Sequence, residues 1–453
     1  MKKNLILNIF LLSLITILFI FYTLYWFLII PFIYLGIIFW KYKNKYLIIF
    51  VFLFLAISTE TFFTTTLENE NYYHEAKVVK VYTNSVVVKE EKEKYFITIE
   101  NSYCLNKGDT IAFEGTYDDL EKNSSFDRFV FSTGSIGYLN ANMTTVVKKS
   151  TRWRDRVYTD LKSKQTPFTN YALVLFYKTT NENNQFLLDG SVMLGISFLI
   201  IISGFHISLI MNSLDHLSTK VLRTKKFSFI IASFMTLYFL YFIYWPPTGL
   251  RAWINKNLNH YLVLSKNDTI AFTGLFFLLF NPFNIFSNGL ILSFLITFLI
   301  VNLKFKKNWS WIQKEITIAI LAFCISFPII STWENKINLT APLITIVAMP
   351  LVSFLYTIMI PLLFLKWLQP LAFPILTISS LFFKLLALAY IPLTINLLSW
   401  RVVIEVEILF FIELHFLKNY FGLLFLIIPF ETLLLFYNLT NEIYSWNWLI
   451  VNA

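Results

Sequence analysis

The chain alternates between long apolar runs and one polar block with a different period. Leu5 to Trp40 is apolar almost throughout. That is too long for one crossing of a hydrocarbon core about 30 Å thick. Tyr22 to Tyr25 and Pro31 predict a hairpin of two crossings, and Tyr46 to Phe63 predicts a third. From residue 66 the period drops to two. "HEAKVVKVYTNSVVVKEEKEKYFITIEN" alternates apolar and polar positions, "NKGDTIAFEGTYDDL" sets a Gly-Asp turn before a strand, and "IGYLNANMTTVV" reads as one more strand. About five short strands in this block predict a small barrel of the oligonucleotide-binding (OB) type.

The segment 151–190 is a bridge. "RWRDRVYTDLKSK" sets Trp153, Val157 and Leu161 four apart, ringed by Arg152, Arg154, Arg156, Lys162 and Lys164. A basic amphipathic helix of this kind suits a membrane surface or an anionic partner. "TPFTNYALVLFYK" offers Thr166 as a cap and Pro167 as first helical residue, ahead of an apolar stretch too short to span. Crossings follow near 191–212, 227–245, 249–265, 269–281, 285–303, 316–333, 341–366, 371–398 and 420–437, while Glu405, Glu407 and Glu413 interrupt 402–417. The pattern predicts a polytopic α-helical membrane protein of roughly 11–13 helices, some broken or re-entrant, with an inserted extracellular OB-type barrel. Its expected parts are a three-span anchor (1–65), the β domain (66–150), linker helices (151–190) and a main transmembrane domain (191–440).

Composition and charge sharpen this picture. Hydrophobic residues make up 57% of the chain, charged residues 14%, and Phe occurs 49 times, which excludes an ordinary soluble protein. The net charge is +10, yet 66–150 holds ten Lys/Arg against thirteen Asp/Glu. The positive excess therefore belongs to the membrane part. Lys2, Lys3, Lys41, Lys43, Lys45, Lys220–Lys226 and Lys304–Lys314 are expected on the cytoplasmic side of the cell membrane, which puts the β domain outside. Lys2 and Lys3 precede a run without a small-residue cleavage pattern, so that run reads as an anchor. Cys104 and Cys324 fall in dissimilar regions, and no disulfide is expected.

The run "TGLRAWINKNLNHYLVL" is too polar for lipid. Arg251, Asn255, Lys256, Asn259 and His260 cover one half of its helix. Placing Lys304–Lys307 inside requires this run to cross. A crossing with such a stripe lines a cavity, and the other reading is a helix lying on the surface.

Absent motifs bound the chemistry. There is no GxxxxGK[ST], CxxC or HExxH, and no metal-hydrolase cluster among His74, His206, His216, His260 and His415. No cofactor, metal or catalytic activity is expected. Ser203 and His206 lie three apart, but no acid or oxyanion hole accompanies them. Ser203, Gly204 and His206 in "ISGFH" read instead as a broken or tightly packed helix; plain small-residue packing is the other reading. In "WPPTGLRA", Pro246 and Pro247 stop a helix, Thr248 is expected to cap the next, and Arg251 to fall in its first turn. A helix N-terminus with an arginine forms an anion site; the alternative is a snorkelling arginine.

"GISFLIIISGFHISLI", "TGLRA", "NPFNIFSNGLILSF" and "PLITIVAMPLVS" follow in this order, with "SSFDRFVFSTGSIGYL" before them. The chain resembles the ComEC family, the membrane channels of bacterial DNA uptake in natural competence. The matching positions are Phe126, Asp127, Ser203, Gly204, His206, Arg251, Ala252, Asn281, Pro282, Gly289, Leu292, Ser293, Phe294, Pro342, Leu343, Pro350 and Leu351. It departs at Phe198, Ile291 and Thr345, where the family carries histidine, glutamine and asparagine. The resemblance implies inward passage of single-stranded DNA. On charge, a polyanion favours a water-filled path lined by Arg251, Lys256 and His260, and Arg152, Arg154, Arg156, Lys162 and Lys164 are expected to collect DNA at the outer face. The resemblance also implies partners: membrane lipid, a separate DNA receptor, a nuclease (no metallo-β-lactamase-like segment follows before Ala453), a cytoplasmic motor, and a second copy of the chain as a homo-oligomer. The acidic barrel is a weak phosphate binder. Any DNA contact there falls to stacking by Tyr72, Tyr73, Tyr82 or Tyr95, and gating or partner docking is the expected role. The alternatives are a secondary transporter of a small anion and a non-competence structural relative.

Overall fold

A computed structural model describes residues 5–21, 28–31, 33–35, 54–57 and 72–394, the last range apart from 83, 92, 100–104, 119–124, 136, 180–183, 201–202, 263, 304, 306–307 and 333. The runs 402–417 and 420–437, and most of the third expected crossing, lie outside the described residues. The chain divides into two compact units, Met1–Gln165 with Gly204–Phe294, and Thr166–Ser203 with Leu295–Ala453.

The first unit contains a closed barrel of β1 (Tyr72–Val81), β2 (Ser85–Glu90), β3 (Glu93–Thr98), β4 (Thr110–Asp118) and β5 (Gly137–Lys148), in the order β1-β2-β3-β5-β4. Only β3 and β5 pair in parallel. The period-two alternation sets the two faces. Val86 and Val88 pair with Ile97 and Tyr95 and point into a core shared with Ala76, Ile111, Phe113 and Leu139. Val87 and Phe96 point outward and are covered by Val130 of a short helix, α2 (Ser125–Ser132).

The helices of this unit are α1 (Leu5–Phe21), α3 (Trp153–Ser163), α7 (Gly204–Leu222), α8 (Lys225–Phe242), α9 (Pro247–Tyr261) and α10 (Lys266–Phe280), with the start of α11 (Asn288–Asn302). Short turns make α7 through α10 run alternately up and down. At one end, Asp268 serves two helix starts. Its Oδ1 accepts from the backbone N–H of Ile6 at 3.0 Å and Leu7 at 3.3 Å, while Ser265 caps α10 at Asp268 N and donates to Oδ2. A carboxylate at two N-termini satisfies donors that have no partner within their own helices. The same end carries Lys220, Arg223, Lys225, Lys226 and Lys266. At the opposite end the barrel meets the helices. Asn281, after α10, donates to the carbonyls of Phe131 and Ser132, and the rings of Phe131 and Phe283 lie 5.0 Å apart.

In the second unit, α4 (Pro167–Ala172) starts as its sequence implies, with Thr166 and Thr169 in a reciprocal cap and Pro167 at the first position. It runs into a π-helical turn, Leu173–Tyr177, buried throughout. Tyr356 donates to the Leu175 carbonyl at 2.9 Å and Tyr171 to that of Leu376. Its described helices also include the rest of α11, α5 (Gln185–Met193), α6 (Ser197–Ile200), α12 (Trp311–Ile330), α13 (Ala341–Phe364) and α14 (Phe373–Leu386).

Two expected crossings differ in form. The run 191–212 is not one helix, because Gly195 (φ 72°) separates α5 from α6 and Ser203 lies outside both α6 and α7. The run 371–398 leaves helix before a strand, Pro392–Thr394 (β7), pairs with Lys336–Asn338 (β6). Buried Asn338 holds that junction through bonds to Leu194, Thr340 and Ile391.

Among the described residues, four helical stretches are long and apolar enough to cross a membrane: Lys225–Phe242, Trp311–Ile330, Ala341–Phe364 and Lys366–Ala389. Ile6–Leu18 and Asn288–Asn302 are apolar but shorter. Helices α9 and α10 have 15 residues each. At 1.5 Å per residue they reach about 22 Å, short of the span expected for 249–265.

Candidate functional site around Gly204 and Arg251

The site begins at the turn joining α8 to α9. Trp245 N–H bonds to the Leu240 carbonyl at 2.8 Å and Tyr244 N–H to that of Tyr241 at 3.3 Å. This is the paired closure of a Schellman motif, which favours glycine in the left-handed position. Here Tyr244 (φ 64°) and Trp245 (φ 55°) occupy the left-handed region. Each costs roughly 1–2 kcal/mol relative to a right-handed residue.

Pro246 then stands at the N-cap of α9 and Pro247 at its first position. The expected cap, Thr248, is instead the second helical residue. Proline fits the first position because it lacks an N–H and has a helical φ, so the helix starts two residues early. Arg251 consequently lies just beyond the first turn, not within it.

Arg251 is only 4% exposed. Its guanidinium rests against Gly204, the first residue of α7. A Cβ at Gly204 would come within 2.9 Å of Nη2 and 3.2 Å of the Ala252 methyl. The Arg251 Cζ also lies 5.4 Å from the Phe294 ring centroid, a cation–π distance. "SGFH", "LRA" and "LSF" thus meet through Gly204, Arg251 and Phe294. His206 is fully buried two residues on, beside the Phe205 ring. Ser203 is half-buried, and Gly289 and Ser293 lie along α11, where no atom of the described residues would come within 4 Å of a Cβ at Gly289.

The polar residues of α9 do not share one open side. Asn255 accepts from Thr273 at 2.5 Å and Asn259 from Thr269 at 3.0 Å, both on α10. Lys256 donates to the Ser208 carbonyl at 3.4 Å and to the Asn212 side chain, both on α7. His260 stacks on Phe229 of α8 at 3.6 Å, and Asn257 accepts from Ser233 of α8. The expected cavity-lining stripe is therefore divided among three neighbouring helices. Asn255 and Lys256 are half-buried and Asn259 and His260 exposed, yet each has a partner on a neighbouring helix. Sequence reading missed those partners, although Thr269 and Thr273, one turn apart in an apolar helix, were a signal.

The basic helix α3 also divides. Val157 and Leu161 are buried as expected, but Trp153 is exposed beside Phe242. Arg154 lies over the Tyr241 and Tyr244 rings at 4.5 and 4.8 Å, and Lys162 donates to the Leu105 carbonyl. Lys164 pairs with Asp160 at 2.9 Å. Arg152, Arg156 and Lys164 remain exposed. Asp155, unremarked among these cations, is 1% exposed and accepts from Tyr244 Oη at 2.6 Å and from the Ser150 hydroxyl. Gly108 (φ 94°) packs so closely on Asp155 that no side chain fits there. Lys107 is 9% exposed, with Nζ 5.4 Å from the Tyr158 ring centroid and 4.9 Å from that of Tyr244. Burial, reinforced by Lys80, pulls its ammonium down to about 8.

Of the tyrosines named for base stacking, Tyr95 is in the barrel core, with its hydroxyl on Glu93, which removes it from that role. The period-two face explains why, since Tyr95 and Ile97 share it. Tyr82 packs on Phe96 and Phe129, and burial raises its hydroxyl to about 12. The Tyr72 and Tyr73 side chains lie outside the described residues, as does that of Phe198. An outer aromatic cluster of Tyr82, Phe96, Phe126, Phe129 and Tyr138 does form, with Phe126 and Phe129 exposed. Among the described residues no three His, Cys, Asp or Glu side chains gather as a metal site.

A mostly helical chain with membrane-length apolar helices and a small closed barrel is the class this structure defines. The chain belongs to the Competence protein family, whose profile matches residues 189–433. "Uncharacterized protein MG316 homolog" of Mycoplasma pneumoniae (strain ATCC 29342 / M129 / Subtype 1) is 24% identical over 191 residues, 42% of this chain and 50% of that protein. The chain thus spans about half the length of this relative. No solved structure matches the chain.

Proposed function

We propose that this protein is a membrane channel that passes single-stranded DNA inward during DNA uptake. Membership of the Competence family suggests a role in DNA uptake, with DNA as substrate. The observation that carries the reading is the seat of Arg251 on Gly204. It sets a cation beside the start of α7 at the barrel end of the first unit. Arg251 is buried, so it acts on an approaching polyanion as a fixed positive potential beside a helix N-terminus and not as a surface contact.

The arrangement of the two ends supports the sidedness. The cations Lys220, Arg223, Lys225, Lys226 and Lys266 gather opposite the barrel, and basic ends belong on the cytoplasmic side. The barrel is then extracellular, and its strand order with a parallel β3–β5 pair supports the OB type. In this reading 1–65 is an anchor, 66–150 the β domain, 151–190 the linker and 191–440 the channel domain. Exposed Arg152, Arg156 and Lys164 attract DNA to the outer face. A receptor, a nuclease and a motor act as separate partners, with lipid around a homo-oligomer.

A second reading, transport of a small anion, is favoured by one observation: Asn255, Lys256 and Asn259 are engaged between helices, which suits a narrow site. Labelled DNA uptake separates the two. Cells deleted for the gene lose uptake if DNA is the substrate, and keep it if a small anion is.

A further inference from the structure

The α8–α9 turn places two aromatic residues in a conformation that favours glycine. The contacts that hold Tyr244 come from outside the turn, while the Trp245 ring meets Tyr241 of α8 at 5.9 Å. The Tyr244 hydroxyl donates to Asp155 at 2.6 Å, and Asp155 is fixed in turn by Ser150 and pressed on Gly108. Arg154 and Lys107 lie over the Tyr244 ring at 4.8 and 4.9 Å, and Tyr158 meets it edge-on at 6.1 Å. All of these partners of Tyr244 belong to the barrel, the strand end leaving it, or α3.

The far side of the turn leads directly into the site. Pro246 and Pro247 fix the start of α9 immediately after Trp245, so the turn's backbone angles aim the helix. Arg251 lies one turn into that helix, against Gly204. If the turn relaxed to right-handed angles, the axis of α9 would swing and Arg251 would leave its seat.

We propose that Tyr244 is a positioning residue: gripped by Asp155 and the barrel loop, it holds the α8–α9 turn left-handed and so sets Arg251 on Gly204. This role rests on the channel reading only for its effect on DNA uptake. A residue that merely anchored the barrel would loosen the barrel loop when altered and leave the start of α9 unchanged.

The test is amide hydrogen exchange of the full chain in phosphatidylglycerol nanodiscs, with uptake of labelled DNA measured in cells. Tyr244→Phe removes the hydroxyl and keeps the ring. Asp155→Asn keeps the shape and serves if the first variant fails to fold. Each should raise exchange over residues 248–252 about tenfold, the effect of losing one charge-assisted bond. Trp245→Gly, which accepts left-handed angles without steric cost, should return exchange in Tyr244→Phe to the wild-type rate and restore uptake. Unchanged exchange over 248–252, a rise confined to 105–109, or no restoration by Trp245→Gly would overturn the proposal. Responding exchange in a protein whose deletion leaves uptake intact upholds the positioning role and overturns the channel reading instead.

Discussion

The guanidinium of Arg251 lies against the backbone of Gly204, where even a methyl group would crowd Nη2 at 2.9 Å. Two motifs about fifty residues apart in sequence are thereby one contact. Gly204→Ala should cost about 1–3 kcal/mol by overpacking. The cost should fall when Arg251 is also changed to Ala, because the crowded group is gone. Thermal unfolding of the four proteins in detergent would show this as a coupling of about 1 kcal/mol. Additive losses would mean that the two residues do not share a seat.

Asp268 holds the starts of α1 and α10 together. Asp268→Asn keeps an acceptor for one set of donors but loses the charge facing two helix dipoles, and should destabilise by about 1–2 kcal/mol. Exchange protection at Ile6 and Leu7 should fall together with that at the start of α10. Loss at α10 alone would contradict the shared cap.

Asn255 and Thr273 form an interhelical pair. Asn255→Ala and Thr273→Val should each lower stability by about 1 kcal/mol, and the double variant by little more than either. If Asn255 faced water instead, Thr273→Val would be neutral and the two effects independent.

Lys107 gives the barrel junction a pH response. Its ammonium titrates near 8 when folded, against 10.5 when exposed. Between these values the unfolded chain binds more protons than the folded one, so stability rises with pH over that window. A melt followed from pH 7.5 to 9.5 should show a rise on the order of 2–4 °C, and Lys107→Met should flatten it. An unchanged slope in Lys107→Met would assign the response to another group.

Much of this was legible in the sequence, for local reasons. The period-two block gives the barrel because inward Val86, Val88, Tyr95 and Ile97 alternate with outward neighbours. Thr166 and Pro167 announce a helix start because their chemistry is local. What could not be read depends on distant partners. Nothing near Asp155 in a basic helix points to Tyr244, 89 residues away. Nothing in α9 alone says that Asn255 and Asn259 face hydroxyls of α10 rather than water. The same limit misplaced Tyr95: a tyrosine in a strand looks free to stack until its face is known to be the core. The Thr248 cap failed for a local reason, because Pro247 started the helix earlier.

The channel reading stands or falls on DNA. In a clean deletion strain, uptake of fluorescently labelled DNA into the cytoplasm should fall to background, return with the wild-type gene, and stay at background with Arg251→Ala at equal membrane level. Undiminished uptake in the deletion strain would contradict the account.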